Sequence, residues 1–525
     1  MQSQTTASSS QQDSQLTISS QHTDATYSPG SDSDMDVDLT TTSPVEDITK
    51  YLVFESELNK LIKYCPDCGS IITNISKTVT GSALSISYSC ILGHNKTWHS
   101  QPVIRHMPAG NLLISAAILL SGSTFAKTQM FATIMRMPIP SKSEFYKIQK
   151  AYLIPVINDY WTIHQTAILS VLSSCEPLHI CGDGRSDSPG FSAKYTSYTI
   201  MDTNTSLIID QQLVSLADDE ISSSVAMETT ALDRCLDFII SCGLKIHRLA
   251  TDRHIGVQSL MKQKYSEIEH QFDVWHLSKN VTKKLQKKAL SKEATGLMPW
   301  IRCINNHLYY CSESCGGDVQ LLKEKWISCI HHVVNRHNFN GERMTQCEHE
   351  ETDDDIDWMT VDSGAHKALK SVVLDRRLLK DIEKLTGFCH TGQLEVYHSM
   401  LLKYAPKREH FHFEGMQARL QLAALDHNHN VDRDLAKDKD DNPIVRQVFS
   451  KARKDWILRQ VYDKKQYSYL DELLTKIIAR RHDRTIRMDK STETKPRKNI
   501  ATTEKPDKQC AIHQKYSRMH SATPY

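Results

Sequence analysis

Three acidic residues, far apart along the sequence, are the side chains best suited to metal-dependent chemistry. Asp183 and Asp252 each follow a short apolar segment that predicts a β-strand, and Glu395 lies at the start of a predicted helix. Ligands of open α/β sheets bind beyond the carboxyl ends of the strands, so both aspartates are expected at such a position. Three converging carboxylates can hold two Mg²⁺ or Mn²⁺ ions, which activate a water molecule or a DNA 3′-hydroxyl for displacement at phosphorus.

Each aspartate also has a simpler explanation. Asp183 precedes a glycine and Asp252 follows Thr251, and such residues are common in turns that have no chemical role. The placement of both after strands, in the order expected of one sheet, favours the metal site. Asp187, in the same predicted loop as Asp183, is a rival for the first carboxylate.

An Asp-x-x-His pair follows the second aspartate. Asp273 and His276 flank a predicted strand–helix junction, where they are expected to brace the loop behind the acidic site. The alternative is that the histidine and the neighbouring Trp275 pack in the core. The two roles are compatible.

Cys65, Cys68, Cys90 and His94 have the spacing of a zinc site, and His99 is an alternative to His94. Zn²⁺ takes four soft or borderline ligands in tetrahedral geometry, so the cluster predicts one structural zinc ion in a small ribbon-like module. Cysteine–histidine clustering without a secretory signal also favours metal sites over disulfides. The alternative is a reduced β-module without metal, although a module of about 40 residues is then only marginally stable.

A second Cys/His cluster consists of His332, His337, Cys347 and His349. The two histidines are expected on a helix, five residues apart, and a loop can return the cysteine and the third histidine. These residues predict a second zinc site. The alternative is that the histidines are ordinary polar residues of a helix.

Six cationic residues are candidate contacts to DNA phosphates, which give salt-dependent affinity without sequence preference. Four recur along one predicted helix near the acidic residues, and two lie in the basic C-terminal segment. They are Lys283, Lys284, Lys287, Lys288, Arg480 and Arg481. The alternative for all six is a solvated surface.

The formal net charge of +1 conceals a strong separation of charge along the chain. Residues 1–50 contain eight Asp or Glu and one Lys, whereas residues 451–525 contain nineteen Lys or Arg and nine Asp or Glu. This polarity favours a polyanionic partner, and the basic run at 495–498 is typical of nuclear import signals. No apolar run of about 18 residues predicts a membrane span, and no secretory signal is expected.

The segments that must position the acidic residues predict a β-β-β-α-β-α-β-α order from residue 178 to about residue 290. This is the order of a ribonuclease-H-like α/β core. Ahead of it, Ser141 and Glu144 have capping-box spacing, and Pro155 is expected to kink or split the helix that follows.

The chain therefore divides into seven predicted segments. These are a disordered acidic leader (1–50), a zinc-ribbon-like Cys/His module (60–104), a helical domain (105–175), the first part of the ribonuclease-H-like core (176–296), an all-helical insertion (297–388), the glutamate helix of the core (389–430) and a basic, helical and disordered tail (431–525). Within the tail, residues 456–478 are expected to be helical.

Four blocks resemble those of eukaryotic DDE cut-and-paste DNA transposases, and most of all the Kolobok superfamily. They are CGDGRSDSPG at 181–190 with SAKY at 192–195, TDRH at 251–254, Asp273-x-x-His276 with Lys279-Asn280, and HTGQLEVYHS at 390–399. The resemblance spans about residues 60–430. One departure is that many Kolobok-like proteins begin with a THAP-type zinc finger, where this chain has an acidic leader and a shorter Cys/His cluster.

The resemblance implies a ribonuclease-H-like fold with a helical insertion before the glutamate. It also implies Mg²⁺-dependent cleavage at transposon ends and strand transfer, with Asp183, Asp252 and Glu395 as catalytic residues. Double-stranded DNA is the implied substrate, and a homo-oligomer holds the two ends together. Two alternatives remain: a domesticated, catalytically silent DNA- or chromatin-binding zinc protein, and a nuclease that acts on RNA–DNA hybrids.

Overall fold

The computed structural model describes residues 44–174, 177–188, 193–218, 221, 223–349, 356–451 and 454–488, with residues 504, 507–510 and 512 near the end of the chain. The chain divides into two units, residues 1–50 and 51–525. In the first unit, the described residues form a turn in which the Asp47 N–H donates to the Pro44 carbonyl at 3.0 Å. The predicted disorder of the leader and of the chain end falls almost wholly outside the described residues.

Every described helix and strand belongs to the second unit. The strands are β1 (Ile72–Thr80), β2 (Ala83–Cys90), β3 (Asn95–His99), β4 (Val103–Ile104), β5 (Met107–Pro108), β6 (Leu178–Ser186), β7 (Tyr195–Asp202), β8 (Ile208–Ser215), β9 (Ile246–Thr251), β10 (Glu269–Phe272), β11 (Val445–Ser450) and β12 (Asp455–Gln460).

The α-helices alternate with these strands in the centre of the chain and dominate on either side. They are α1 (Glu55–Leu61), α2 (Ala109–Leu120), α3 (Phe125–Met135), α4 (Lys142–Ile148), α5 (Ile154–Leu172), α6 (Ser224–Ser241), α7 (Ile255–Gln263), α8 (Val274–Ala289), α9 (Ile301–Ser314), α10 (Val319–His332), α11 (Gly364–Val373), α12 (Arg376–Ile382), α13 (Gly392–Leu401), α14 (Phe413–Asn428) and α15 (Ser468–His482). No described helix is both long enough and apolar enough to cross a membrane.

A five-stranded mixed sheet in the order β10-β9-β6-β7-β8 forms the centre of the second unit. β6, β7 and β8 are antiparallel neighbours, whereas β9 and β10 run parallel to β6. Parallel strands require crossover connections: α6 leads from β8 to β9 across the sheet, and α7 connects the parallel neighbours β9 and β10. The β-β-β-α-β-α-β-α order predicted from the sequence is therefore confirmed, and the fold is mixed α/β.

The module ahead of this sheet is a three-stranded antiparallel sheet in the order β1-β2-β3. Nearly every residue of β1 and β3 is exposed, and the buried residues of the module include Cys65, Ile86 and Cys90. So small an apolar core contributes little stability, which is the situation in which a metal site commonly holds a module together.

The helical domain contains both of the local features that the sequence predicts. The Ser141 hydroxyl accepts from the Glu144 N–H at 3.2 Å and caps α4. Pro155 stands at the start of α5, directly after a π-helical turn over Gln149–Leu153, so the long helix is divided there. The physical reason is that proline lacks the N–H that an uninterrupted helix requires.

The insertion between α8 and α13 is helical in its described residues. It contains a 3₁₀ turn over Lys292–Leu297, then α9 to α12. Its buried side chains form one cluster with residues of β10 and α8, and Trp326 lies fully buried within that cluster. The insertion therefore packs directly on the helix that carries His276.

The C-terminal segment differs from the prediction. Residues 456–478 were expected to be helical, but Trp456 lies in β12, which pairs with β11 as an antiparallel hairpin, and the helix α15 begins at Ser468. The short apolar run Trp456-Ile457-Leu458 between charged residues is compatible with either element, and the pairing with β11 selects the strand.

Arg481 is not available for the DNA contact that the sequence predicts, so that prediction is wrong. Its side chain is 8% exposed and donates to the Ile104 carbonyl at 3.2 Å, to the Arg105 carbonyl and to the Tyr152 hydroxyl. Arg480 is half-buried and donates to the Ala151 carbonyl at 2.9 Å. The two arginines attach α15 to the helical domain.

We expect Arg481→Ala to lower the free energy of unfolding by about 3 kcal/mol, because it leaves buried carbonyl and hydroxyl groups without a donor. The exposed Arg484 provides a matched control, and Arg484→Ala should change stability by less than about 0.5 kcal/mol. Denaturant unfolding followed by circular dichroism measures both. Equal, small effects would show that the buried guanidinium contributes no stability.

Candidate functional site

Asp183 lies within a strand and not after its end. The sequence predicts that the strand stops at Gly182, but β6 continues to Ser186 because its ladder with β7 extends to the pair Ser186–Thr196. The parallel ladder between β6 and β9 stops earlier, at the pair Cys181–Ala250. Asp183 therefore lies where β6 and β9 separate.

Asp252 directly follows the last residue of β9, as predicted. Its Oδ1 atom accepts from the His254 N–H at 3.1 Å, which fixes the carboxylate at the start of the loop. Burial raises the pKa of Asp252, and the negative charge of Asp183 raises it further. The charge of Asp183 therefore affects the pKa of Asp252, although the two residues are far apart in sequence and lie where β6 and β9 separate.

Glu395 and the histidine three residues after it connect α13 to both aspartates. His398 Nδ1 lies 3.3 Å from Asp183 Oδ2, and Glu395 Oε1 lies 3.5 Å from His276 Nε2. His276 also lowers the pKa of Asp252 by its proximity. The helix α13 therefore reaches Asp183 through His398 and His276 through Glu395, and His276 in turn acts on Asp252.

Asp273 joins the start of α8 to the start of α13. It caps α8, where its Oδ1 accepts from the Trp275 N–H at 2.6 Å, and its Oδ2 accepts from the Thr391 N–H at 3.0 Å and from the Thr391 hydroxyl. The side chain is 1% exposed. Because Thr391 immediately precedes α13, this one carboxylate fixes where the glutamate helix begins relative to His276.

Glu228 is a fourth acid at this site, and sequence reasoning missed it. It lies on α6 with its side chain against Gly184, where an added Cβ would approach Glu228 Cγ to 2.7 Å. Burial raises the pKa of Glu228 to about 7, with further contributions from Asp252 and Asp183. No motif marks this residue, and the only sequence signal is its place on the helix after the third core strand.

Asp187, the rival for the first carboxylate, has a structural role. Its Oδ1 accepts from the N–H groups of Lys194 at 3.0 Å and Tyr195 at 3.4 Å, and its carbonyl accepts from the Arg408 N–H at 3.0 Å. Its carboxylate thus holds the entry to β7 and does not join the acids around Asp183.

The donor set at the acidic site suits divalent cations such as Mg²⁺. Oxygen ligands from carboxylates are what hard cations prefer, and burial, followed by neighbouring carboxylates, raises the pKa values of Asp252 and Glu228. In the described part of the chain, only the two Cys/His clusters gather three or more ligand atoms within 4.8 Å. The carboxylate oxygens of the acidic site therefore lie further apart than the ligand atoms of either Cys/His cluster.

The helix α8 extends from the acidic site and carries the predicted lysines. Lys283, Lys284, Lys287 and Lys288 are all exposed, and Lys284 lies 3.9 Å from Asp375. His276 stands in the first turn of the same helix. A cationic surface therefore begins within one helix length of the acids, and its contact with DNA stays a prediction.

The first Cys/His cluster has the dimensions of a tetrahedral zinc site. Cys68 Sγ lies 3.7 Å from Cys90 Sγ, and His94 Nδ1 lies 3.3 Å from Cys68 Sγ and 3.7 Å from Cys90 Sγ. Sulfur ligands of tetrahedral zinc are about 3.8 Å apart, and a sulfur and a nitrogen about 3.6 Å. His99 lies outside the cluster, because its Nδ1 is hydrogen-bonded to Ser85 at 2.9 Å.

The thiol chemistry of this cluster also suits a metal. Hydrogen bonds from Ser70 lower the pKa of Cys68 to about 6, which favours the thiolate that zinc binds. The four ligand atoms, one each from Cys65, Cys68, Cys90 and His94, lie within 4.8 Å of one another. The cluster can bind zinc.

The second cluster forms around the end of α10. His332 is the last residue of that helix and His337 lies in the loop after it, which corrects the expectation that one helix presents both. His332 Nδ1 lies 3.3 Å from His349 Nε2 and 3.8 Å from Cys347 Sγ. Two nitrogen ligands of tetrahedral zinc are about 3.4 Å apart, so these distances also fit a zinc ion.

The hydrogen bonding and burial of the histidines in this second cluster also suit metal binding. His337 Nε2 is hydrogen-bonded to Asn335 Oδ1 at 2.9 Å, while its Nδ1 is buried without a hydrogen-bond partner. Burial lowers the pKa of His332 to about 4, and the charges of His349 and His337 lower it further. The His332 imidazole is therefore neutral near pH 7 and can offer a lone pair to a metal.

Comparison with known proteins gives little further information. No protein family model and no curated protein match this chain. One similar solved structure is the Drosophila P element transposase strand transfer complex, with a TM-score of 0.27 and 10% sequence identity over 61% of this chain and 92% of that chain. A TM-score at this level carries no argument about fold or activity.

We expect the purified protein to contain two equivalents of zinc, because each cluster supplies four ligands at zinc-like distances. Cys68→Ser and Cys347→Ser should each remove about one equivalent, measured by inductively coupled plasma mass spectrometry. Cys303→Ser is the matched control, since Cys303 is exposed and belongs to neither cluster. Full zinc content in either cluster variant would contradict the assignment of that cluster.

Proposed function

We propose that this protein is a DDE transposase-like enzyme, or a host protein derived from one, that cleaves and joins DNA by metal-dependent phosphoryl transfer. The observation that carries the proposal is the meeting of Asp183, Asp252 and Glu395 through His398 and His276, although these acids stand far apart in sequence. The proposed fold of the central sheet is ribonuclease-H-like. The proposed family is the Kolobok superfamily, on the sequence blocks alone.

In this proposal the three carboxylates hold divalent cations, Mg²⁺ or Mn²⁺. Such ions, when bound, activate the attacking water or DNA 3′-hydroxyl and stabilise the leaving oxygen. Glu228 adds a fourth carboxylate to the same negative cluster, next to Asp183 and Asp252. No side chain needs to act as a nucleophile, so the chemical role of the protein is to hold charge and to orient the reacting groups.

The residues around the acids have positioning roles in this proposal. His398 orients Asp183, and His276 orients Glu395, through the contacts at 3.3 and 3.5 Å. Asp273 keeps α8 and α13 together through Thr391. These contacts reduce the freedom of the carboxylates, and preorganised ligands are what phosphoryl transfer requires of the protein.

The remaining parts of the proposal follow from charge. The exposed lysines of α8 are proposed to contact the phosphates of double-stranded DNA. A homo-oligomer that holds two DNA ends, and a nuclear location, are proposed with the activity. The two zinc clusters are proposed as structural sites, because all four positions of each tetrahedron are filled by side chains.

The second candidate function is a catalytically silent DNA- or chromatin-binding zinc protein. The two Cys/His clusters favour it, since they supply stable modules that need no catalysis. It differs from the first candidate in one respect that can be measured, namely metal-dependent cleavage of DNA.

We expect the protein to nick supercoiled duplex DNA with Mg²⁺ or Mn²⁺, and Asp183→Ala, Asp252→Ala and Glu395→Ala each to reduce the rate by ~100-fold or more. Gel electrophoresis of the plasmid measures the nicking rate. Glu267→Gln is the control for loss of an exposed acid away from this cluster.

Two results would separate the candidates. Nicking that all three alanine variants retain would contradict the assignment of the acids. DNA binding by wild type, without cleavage in either metal and with full zinc content, would favour the silent binding protein.

A further inference from the structure

The hairpin formed by β11 and β12 is a highly exposed element of the described chain. Apart from Val448, Ser450 and Ile457, every described residue of its two strands is exposed. Its base is attached to the preceding loop, since the Ala436 N–H donates to the Val461 carbonyl at 2.8 Å and the Val461 N–H to the Ile444 carbonyl at 3.0 Å. The base of the hairpin is thus held by backbone hydrogen bonds, and these bonds do not involve the turn end.

One face of the hairpin carries two arginines directly opposite each other. Arg446 pairs with Arg459 in the antiparallel register, so both side chains point to the same face. Both are exposed, and neither side chain donates a hydrogen bond or forms an ion pair with any described residue. Like charges directly opposite are destabilising, and an anion from outside the chain would relieve this repulsion.

The turn of the hairpin adds more positive charge. Lys451 and Lys454 lie at the described ends of the turn and are exposed. In sequence, Val445–Gln460 contains five cationic side chains and one carboxylate. Lys451 follows Arg446 by five residues, or roughly 17 Å of strand. The cations therefore extend along the ribbon and are not confined to one point.

The opposite face carries exposed aromatic and aliphatic side chains. Phe449 pairs with Trp456 across the strands, and their rings lie 5.7 Å apart in an edge-to-face arrangement. Trp456 is 66% exposed, as is Leu458 in the same strand. Large apolar side chains that are held together in water mark an interaction surface.

We propose that the β11–β12 hairpin binds DNA, with Arg446 and Arg459 on phosphates and Trp456 stacked on an unpaired base near a DNA end. This proposal rests on the proposed function, which supplies DNA as the partner. Charge complementarity selects the occupant: Val445–Gln460 carries five cationic side chains and one carboxylate, and a polyanion is the ligand that such an excess of positive charge fits. A two-stranded β-ribbon is of a size that the major groove of duplex DNA admits.

The first test is the salt dependence of DNA binding by the full chain, measured by fluorescence anisotropy with a labelled duplex and no added Mg²⁺. Arg446→Gln/Arg459→Gln should weaken binding roughly tenfold near 0.15 M salt and reduce the slope of log K against log salt by about 2, since two phosphate contacts are lost. Because both side chains are exposed and unpaired, folding should be unaffected, which zinc content and circular dichroism check.

The matched control removes the same charge from a neighbouring loop. Lys437→Gln/Lys439→Gln also subtracts two positive charges, but Lys437 is already paired with Asp441 at 2.9 Å. This control should change the slope by less than about 0.5. An equal loss of slope in both double variants would mean that only net charge matters, and would overturn the proposal, as would an unchanged slope in the arginine variant.

The second test separates the aromatic face from the arginines. Trp456→Ala should weaken binding to a duplex with a single-stranded overhang by roughly tenfold, and binding to a blunt duplex much less. Trp456→Phe should retain most of the affinity, because a phenyl ring also stacks. Equal affinities of wild type and Trp456→Ala for the overhang substrate would overturn the stacking role.

Further outcomes distinguish this inference from the proposed function. If wild type binds and nicks DNA while the hairpin variants do the same, the hairpin proposal fails and the proposed function stands. If wild type binds no DNA, both fail. If light scattering shows a dimer that Leu458→Ser dissociates, with DNA affinity unchanged, the apolar face belongs to a second copy of the chain and the proposal is overturned.

Discussion

The burial of carboxylates near one another is the constraint on which the acidic site depends. Burial and neighbouring charge raise the pKa of Asp252, and they raise the pKa of Glu228 to about 7. Removing negative groups from water near one another costs free energy. A bound divalent cation would offset this cost, and this is the physical basis of the proposed metal site.

The rest of the second unit holds these acids in place. The parallel pairing of β6 and β9 ends at Cys181 and Ala250, so the residues just beyond it lie beside the opening between the strands. The glutamate helix returns after a long helical insertion, yet Asp273 fixes its start through Thr391. The insertion shares one buried cluster with α8, so it is packed against the core. The positions of the acids are therefore determined by the sheet and not by the insertion.

Sequence patterns predicted the order of the core elements, because alternating strands and amphipathic helices are local signals. The sequence also predicted the two sets of candidate zinc ligands, because metal ligands often recur at short spacing along a chain. The sequence patterns failed at positions whose structure depends on contacts between residues far apart in the chain. Glu228 belongs to the acidic site only through its position against Gly184, and β6 passes Asp183 only because β7 pairs with it. The sequence places Arg481 in the basic tail, where an exposed cation is expected. In the structure its side chain is buried and donates to carbonyl groups next to the helical domain.

The most direct test of the central claim is the location of Mn²⁺ in crystals of the full chain, found from its anomalous scattering. The account predicts Mn²⁺ density in contact with carboxylate oxygens of Asp183 and Asp252, with the carboxylate of Glu395 facing the same density. Crystals that contain Mn²⁺ elsewhere, with Asp183, Asp252 and Glu395 bonded only to protein groups, would contradict it.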